Sequence, residues 1–315
     1  MSEVRRKIVF ILGLSRVGST MLDLVLGSNP KFVGLGEIYQ VIRPDLNRFE
    51  GNEYCTCGKL TQECSFWGVA ARSLKENKAA GIEERYMHIL RTFQNVYGSD
   101  KIMVDSSKLL DVLKTVVRLP DIEVKVIYLI RDVRAWTVSR LNFRKKAPQA
   151  YKRNGSYLKR LTFKFGWKIN FIKWCLPALT KMPLYYFILW YIQNKQIKNF
   201  LERNKIDSFT LGYDELGLSP ELMMEKIFEF LEEDYIGPNF CSINSQSHVL
   251  IGNNNKADSK RRSGIFYDNR WLYRNEWLLP AALLPNIMKY NAQQVYRNIK
   301  KHSIWDNRKE LGKDE

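Results

Sequence analysis

Gly13-Leu14-Ser15-Arg16-Val17-Gly18-Ser19-Thr20 follows the apolar run Ile8 to Leu12 and precedes a helical pattern that starts near Met21. Apolar strand, glycine-bearing turn and helix start, in that order, make a phosphate cradle. Glycine permits the tight turn, and backbone N–H groups converge on an anion at the helix N-terminus. The glycine spacing is that of a Walker A loop, but Ser19-Thr20 follows Gly18 where such a loop carries its lysine. The group that would reach the β- and γ-phosphates of a triphosphate is missing, which implies a different phosphorylated ligand. The loop's positive charge is Arg16, whose planar fork holds two oxygens of a phosphate or sulfate at once.

Strand-like runs recur at Ile102 to Val104, Val124 to Ile130 and Phe209 to Leu211, separated by longer helical patterns. This alternation predicts an α/β fold, a central parallel sheet flanked by helices. Ligand loops in such a sheet gather at the carboxyl ends of strands. The motifs lie there: Gly13–Thr20 after the first run, Asp105-Ser106-Ser107-Lys108 after the second, Arg131-Asp132 after the third. Asp105–Lys108 reads equally as part of a site or as an ordinary helix N-cap with a solvated Lys108. Arg131 alone would be a strand-end residue paired with Asp132, and Ser139 a polar helix residue; their joint spacing behind a phosphate loop favours a functional reading.

The Gly13–Thr20 loop, the run Ile127-Tyr128-Leu129-Ile130-Arg131-Asp132-Val133-Arg134 and Ser139 together resemble the sulfotransferases that use 3′-phosphoadenosine 5′-phosphosulfate (PAPS). The resemblance implies a P-loop-like sulfotransferase fold. It assigns the 5′-phosphosulfate to Arg16, Val17, Gly18, Ser19 and Thr20, with Ser15 standing where the family usually has proline, and the 3′-phosphate to Arg131 and Ser139. A late region, His248 to Asn253 and then Lys260-Arg261-Arg262-Ser263-Gly264 with Asp268 and Trp271 behind, resembles the family's last nucleotide-contacting segment, with Arg261 or Arg262 meeting the 3′-phosphate. It departs from the bacterial pattern, because Asn255-Lys256 stands where an arginine usually follows Gly-Asn, and the basic triplet also reads as a solvated charge run.

For catalysis the resemblance implies in-line attack of an acceptor hydroxyl on sulfur, with Arg16 and the loop N–H groups stabilising the departing phosphate and no metal required. Glu37, in Val33-Gly34-Leu35-Gly36-Glu37-Ile38, matches the Gly-Glu pair of tyrosylprotein and some other sulfotransferases and is the expected general base. Its plainer reading is a carboxylate favoured by a helix N-terminus. His248 is the alternative base. His88 lies in a helical pattern and reads as a packed or surface residue, and His302 falls in the basic tail.

Three of the 5 cysteines cluster as Cys55-Thr56-Cys57-Gly58 and Cys64-Ser65-Phe66-Trp67. Zinc normally takes four ligands, and no fourth Cys or His is near in sequence, His88 being the closest, so reduced thiols or a loop disulfide are expected in place of a metal. Similar segments in bacterial members of the resembled family suggest an acceptor-side loop.

The 315 residues, 45% hydrophobic, suffice for one large α/β domain, and we expect a single domain over 1–315, with 144–189 an acceptor-side insertion or lid and 306–315 a frayed tail. The family resemblance covers about 5–143 and 186–272. In the insertion, Phe163, Phe165, Trp167, Phe171 and Trp174 interleave with Lys164, Lys168 and Lys173. That pattern is either a core-facing helix with snorkelling lysines or an interface-seeking one, with peripheral membrane contact through 163–191. The second option would suit a lipid, glycolipid or other amphiphilic acceptor at an anionic membrane, whereas a purely polar glycan would not need it.

A formal charge of +17 implies anionic ligands or surfaces, and the absence of zinc-finger spacing, RNP-type aromatics or a basic heptad helix argues against nucleic acid. Met1 to Leu14 lacks the length and cleavage site of a signal peptide, and no apolar run reaches membrane-spanning length, so a cytoplasmic protein, peripheral to a membrane at most, is expected. Nothing specifies an oligomeric state. The competing classes are a P-loop nucleotide kinase or NTPase, which should carry the Walker lysine, and a non-enzymatic basic binder of membrane surfaces.

Overall fold

The computed structural model describes residues 6–43, 53–76, 80–146, 181–236, 246–252 and 264–299. The chain forms two compact units, one from residues up to Ile130 with Ile197–Tyr267, the other from Arg131–Gln196 with the residues from Asp268 on. Lys260, Arg261 and Arg262 lie outside the described residues, as do the aromatic stretch 163–174, most of the expected insertion and the 306–315 tail.

In the first unit β1 (Arg6–Gly13) leads through a turn to α1 (Ser19–Leu26), β2 (Phe32–Gly34), α2 (Ile38–Ile42), α3 (Trp67–Glu76), α4 (Ile82–Tyr97), β3 (Ile102–Lys108), α5 (Leu110–Val116) and β4 (Ile122–Ile130). The strands form one parallel sheet, completed by β5 (Ser208–Gly212) in the order β2-β3-β1-β4-β5. Ile8 to Leu12 are each 0% exposed. A strand covered on both faces has no polar side to show, which is why β1 reads as an unbroken apolar run. The α/β class and all four sequence-marked strands are observed. The three residues of β2 were too few to register as a pattern.

β3 continues past its apolar run through Asp105, Ser106 and Ser107, all buried. It does so because those polar groups satisfy one another. Tyr86 Oη donates to Asp105 Oδ2 at 2.7 Å, and Ser107 donates to Asp105 Oδ1 through both its N–H (2.8 Å) and its hydroxyl (2.5 Å). The helix N-cap alternative for this segment is therefore not adopted: α5 starts beyond it, after Leu109, which makes no side-chain cap.

The second unit begins where β4 ends. α6 (Val133–Lys146) is followed by α7 (Pro183–Arg203), whose residues to Gln196 belong to this unit. Pro183 suits a first helical position because it lacks only an N–H that would have no partner there. In the first unit, α8 (Tyr213–Leu218) and α9 (Pro220–Leu231) follow β5; α10 (Leu278–Leu283) and α11 (Pro285–Val295) complete the second.

Asp132 ties the second unit together. Its carboxylate is 0% exposed and accepts from Arg134 Nε (2.9 Å) and Nη2 (2.7 Å), Asn291 Nδ2 (2.8 Å) and Tyr296 Oη (3.0 Å). Burial pushes its pKa up, but the hydrogen bonds and charge of Arg134 outweigh burial and hold it below the usual carboxylate range. Arg134 in turn lies over the Trp271 ring, 4.5 Å from its centroid, and Trp271 packs on Ala135 and Val138. Among the described residues no helix is long and apolar enough to cross a membrane.

Removing one partner of a buried ion pair leaves the other charge uncompensated. Asp132→Ala should therefore destabilise the protein by about 3–5 kcal/mol in urea unfolding, whereas Asp111→Ala, an exposed pair with Lys114, should cost about 0–1 kcal/mol.

Candidate active site

The Gly13–Thr20 turn is shaped by two left-handed residues, Arg16 at φ 76° and Gly18 at φ 99°. Gly18 is required twice over. Its φ disfavours any side chain, and a Cβ there would stand 2.5 Å from the Tyr213 ring. It is also the N-cap of α1 and offers no side-chain cap, and the first turn holds no acidic residue. The N–H groups that open a helix lack intrahelical acceptors, so an uncapped end of this kind can receive an external anion. Val17 and Ser19 are buried and anchor the turn, while Arg16 and Thr20 are partly exposed.

Glu37 is the N-cap residue of α2, and its Oε1 lies 2.5 Å from Lys108 Nζ with both side chains largely buried. Lys108 is paired in register with Leu12, one residue before the turn. An ammonium group therefore does stand at the carboxyl end of β1, supplied by the neighbouring strand in place of the loop. The Lys108–Glu37 pair could not be read from sequence, where Lys108 passed equally well for a solvated residue.

The backbone around Glu37 is held at several points. Its N–H donates to Ile251 O (3.2 Å), Ser106 N–H donates to Gly36 O (2.9 Å), and Gly36 N–H donates to Asp23 Oδ2 (3.1 Å). Asp23 projects from α1 and is wholly buried, and burial pushes its carboxyl up to about 7. The carboxylate fits because Gly34 has no side chain: a Cβ there would lie 2.0 Å from Asp23 Oδ1 and 2.6 Å from Ser247 Oγ. Asp105 is likewise pushed up by burial, to about 6.

In the second unit Arg131 follows β4 directly, and Nη2 donates to Asp268 Oδ2 at 2.9 Å. Asp268 also accepts from Arg270 Nε (2.6 Å) and Nη2 (2.7 Å), and these partners, against the opposing effect of burial, hold it far below the usual carboxylate range. The Arg131 carbonyl accepts from Trp190 Nε1 at 3.0 Å. Arg131 thus pairs with Asp268 and not with Asp132, whose arginine is Arg134. Ser139 lies within α6 and is partly buried; Gly264 is partly buried beside Phe266.

His248 belongs to another cluster. Its Nδ1 lies 3.1 Å from Cys64 Sγ and 3.7 Å from Cys55 Sγ, and the two sulfurs are 3.7 Å apart. Cys55, Cys57 and Cys64 are free thiols, so the loop disulfide expected as one option is not formed. The fourth potential metal ligand absent near the cysteines in sequence is supplied by the fold. His88 is on α4, with Nδ1 3.4 Å from Ser73 Oγ.

The chain matches the family model described as "Sulfotransferase domain" over residues 6–239. No curated protein sequence matches it. Among solved structures it is similar to the sulfotransferase domain of the Synechococcus PCC 7002 olefin synthase (15% identity, TM-score 0.46, 86% of this chain and 84% of that one). It is also similar to sulfotransferase STF9 of Mycobacterium avium (13% identity, TM-score 0.38, 92% and 76%).

Asp23 gives this region a pH signature. A carboxyl whose pKa is higher folded than unfolded stabilises the fold fully below the unfolded value, near 3.8, and loses that contribution as pH rises to about 7. Asp105 acts in the same direction but only to about 6. Stability measured by urea unfolding should fall between pH 6 and 7, and Asp23→Asn should flatten that step. A second expectation is that Gly18→Ala, strained and clashing, lowers stability by about 1–3 kcal/mol and weakens anion binding at the turn.

Proposed function

Because the chain belongs to the sulfotransferase domain family, we propose that it transfers the sulfonate group of PAPS to a hydroxyl of an acceptor. The observation that carries the choice of donor is the Gly13–Thr20 turn: an uncapped helix start with a left-handed Gly18, an arginine and no Walker lysine. Such a turn suits a 5′-phosphosulfate better than a triphosphate with its metal ion. The family resemblance assigns the 3′-phosphate to Arg131 and Ser139, with Lys260, Arg261, Arg262 and Gly264 as a late strap. Asp268 on Arg131 is then a carboxylate that an incoming phosphate would share or displace.

In this reading the acceptor oxygen attacks sulfur as the bond from sulfur to the 5′-phosphate oxygen breaks. The hydroxyl proton passes to Glu37, and the negative charge that grows on the phosphate oxygen meets the loop N–H groups and Arg16. Lys108 acts as a positioning residue, holding the Glu37 carboxylate at the end of the sheet that carries the turn. Glu37 is preferred to His248 as base because the Nδ1 of His248 is engaged by the cysteine sulfurs. No metal ion is needed for this displacement. The acceptor we favour is amphiphilic, a lipid or a lipid-linked glycan: Met182 and Ile188, within the 163–191 segment expected to meet a membrane surface, and Ile192, just beyond it, are exposed apolar residues at and in α7. A cytoplasmic enzyme working at that surface is the setting this implies.

Calorimetric titration tests the donor. Adenosine 3′,5′-bisphosphate should bind, and ATP with Mg²⁺ should bind more weakly; the reverse order would sink the donor assignment in favour of a nucleotide kinase or NTPase. Arg16→Ala and Arg131→Ala should each weaken bisphosphate binding roughly 10- to 150-fold, as expected for charge-assisted hydrogen bonds. A basic surface binder would lose almost nothing. Glu37→Gln should keep bisphosphate affinity while kcat drops about 10²- to 10⁴-fold; an unchanged kcat would remove Glu37 from the mechanism.

A further inference from the structure

We propose that Cys55, Cys57, Cys64 and His248 form a structural zinc site that ties the cysteine loop to the segment running beside Glu37. Their four potential ligand atoms all lie within 4.8 Å of one another. The three separations among Cys55, Cys64 and His248 fit the edges of a tetrahedron around a single ion. Zinc–sulfur bonds of about 2.3 Å place two thiolates about 3.8 Å apart, and a zinc–nitrogen bond of about 2.0–2.1 Å places sulfur and nitrogen about 3.5 Å apart. The observed separations are 3.7 Å between Cys55 Sγ and Cys64 Sγ, and 3.1 and 3.7 Å from these sulfurs to His248 Nδ1. Three thiolates and one imidazole are a soft donor set that selects zinc over magnesium or calcium, and a closed set of four protein ligands is the structural kind of site.

The surroundings match as well. The Trp67 N–H points at Cys64 Sγ from 3.4 Å, a contact that favours the thiolate, and the Trp67 indole donates to the His248 carbonyl and fixes that residue's backbone. Phe66 and Tyr97 stand beside the imidazole, with centroids 6.4 and 6.1 Å away. Cys55 and Cys64 are buried while Cys57 is exposed, which leaves one side open for the ion to enter. On binding, the three thiols give up their protons and the four ligands donate their lone pairs to zinc; no oxidant or reductant takes part.

The consequence lies in what His248 is joined to. Its N–H donates to Gly34 O at 2.7 Å, and three residues later Ile251 O accepts from Glu37 N–H at 3.2 Å. Thr56, between two of the cysteines, bonds the same segment through Ser247 O (2.7 Å) and Val249 N (2.9 Å). A zinc ion on His248 would fix the segment that flanks Gly34 to Glu37 without taking part in sulfonate transfer. The proposal does not depend on the identity of the donor.

The test uses the full chain expressed with added zinc and purified without chelator. Elemental analysis should give about one zinc per chain. Replacement by Co²⁺ should give the thiolate-to-cobalt charge-transfer band and the visible bands of a tetrahedral site. Cys57→Ser changes the exposed ligand and leaves the core intact, so it should fold and yet bind zinc at least about 100-fold more weakly, beyond the upper end of what outer-shell changes cost. Chelator should lower the melting temperature of the parent protein and leave that of Cys57→Ser unchanged. Less than a tenth of an equivalent of zinc, an octahedral cobalt spectrum, full zinc retention by both Cys57→Ser and His248→Asn, or a Cys55–Cys64 disulfide found by peptide mapping would each overturn the proposal.

Discussion

The register of β1 is the constraint on which the first unit depends. It is the central strand, paired in parallel with β4 from Arg6 to Gly13 and with β3 on its other edge, and each pairing fixes what stands beside the turn. Leu12 opposite Lys108 brings the Lys108–Glu37 pair to the carboxyl end of β1. Because side chains alternate faces along a strand, a slip of one residue would move every neighbour to the wrong side. The continuous burial of Ile8 to Leu12 between helices makes that slip costly. The order β2-β3-β1-β4-β5 also places the turn where strand order reverses, the position at which open parallel sheets leave a crevice for ligands.

Buried carboxylates are handled in two opposite ways in the two units. Asp23 and Asp105 in the first are surrounded by hydroxyls and N–H groups, and burial raises both toward neutrality, to about 7 and about 6. In the second, buried Asp132 and partly buried Asp268 are matched by arginines and kept ionised. The arginine-matched acids organise the residues after β4, and the hydroxyl-matched ones organise the strand ends around Glu37. The arginine-matched arrangement loses strength as acid protonates its carboxylates; the hydroxyl-matched one loses strength as pH rises toward neutrality.

Local chemistry was the legible part of this chain. A glycine-bearing turn between a strand and a helix is made of contiguous residues, so Gly13 to Thr20 could be read directly, and four buried strands announced themselves as apolar runs. What depended on distant pairing could not be read. Lys108 gains meaning only through β3 register, Asp23 only because Gly34 leaves room for it, and Arg131 chooses Asp268 over the adjacent Asp132 because of geometry absent from the sequence. His248 reaches Cys64 across a separation of 184 residues, and no spacing rule for metal ligands spans such a gap. The division after Ile130 was hidden for a similar reason: it falls at the end of a strand, with no linker composition to mark it.

The strand at the centre of the sheet is also the earliest of the five in the chain, and this has a consequence for biosynthesis. β1 emerges with both hydrogen-bonding edges bare; the partner for one edge begins at Ile102 and the partner for the other ends at Ile130. Throughout that interval the nascent chain carries an apolar segment with strong strand preference and nothing to pair with, the kind of stretch that seeds aggregation. Arg5, Arg6 and Lys7 immediately precede Ile8, and like charges at the border of such a segment repel a second copy. In the finished fold Lys7 is bonded to Glu233, which is translated much later. Until Glu233 arrives, the charge of Lys7 serves as a guard, and afterwards as a clasp.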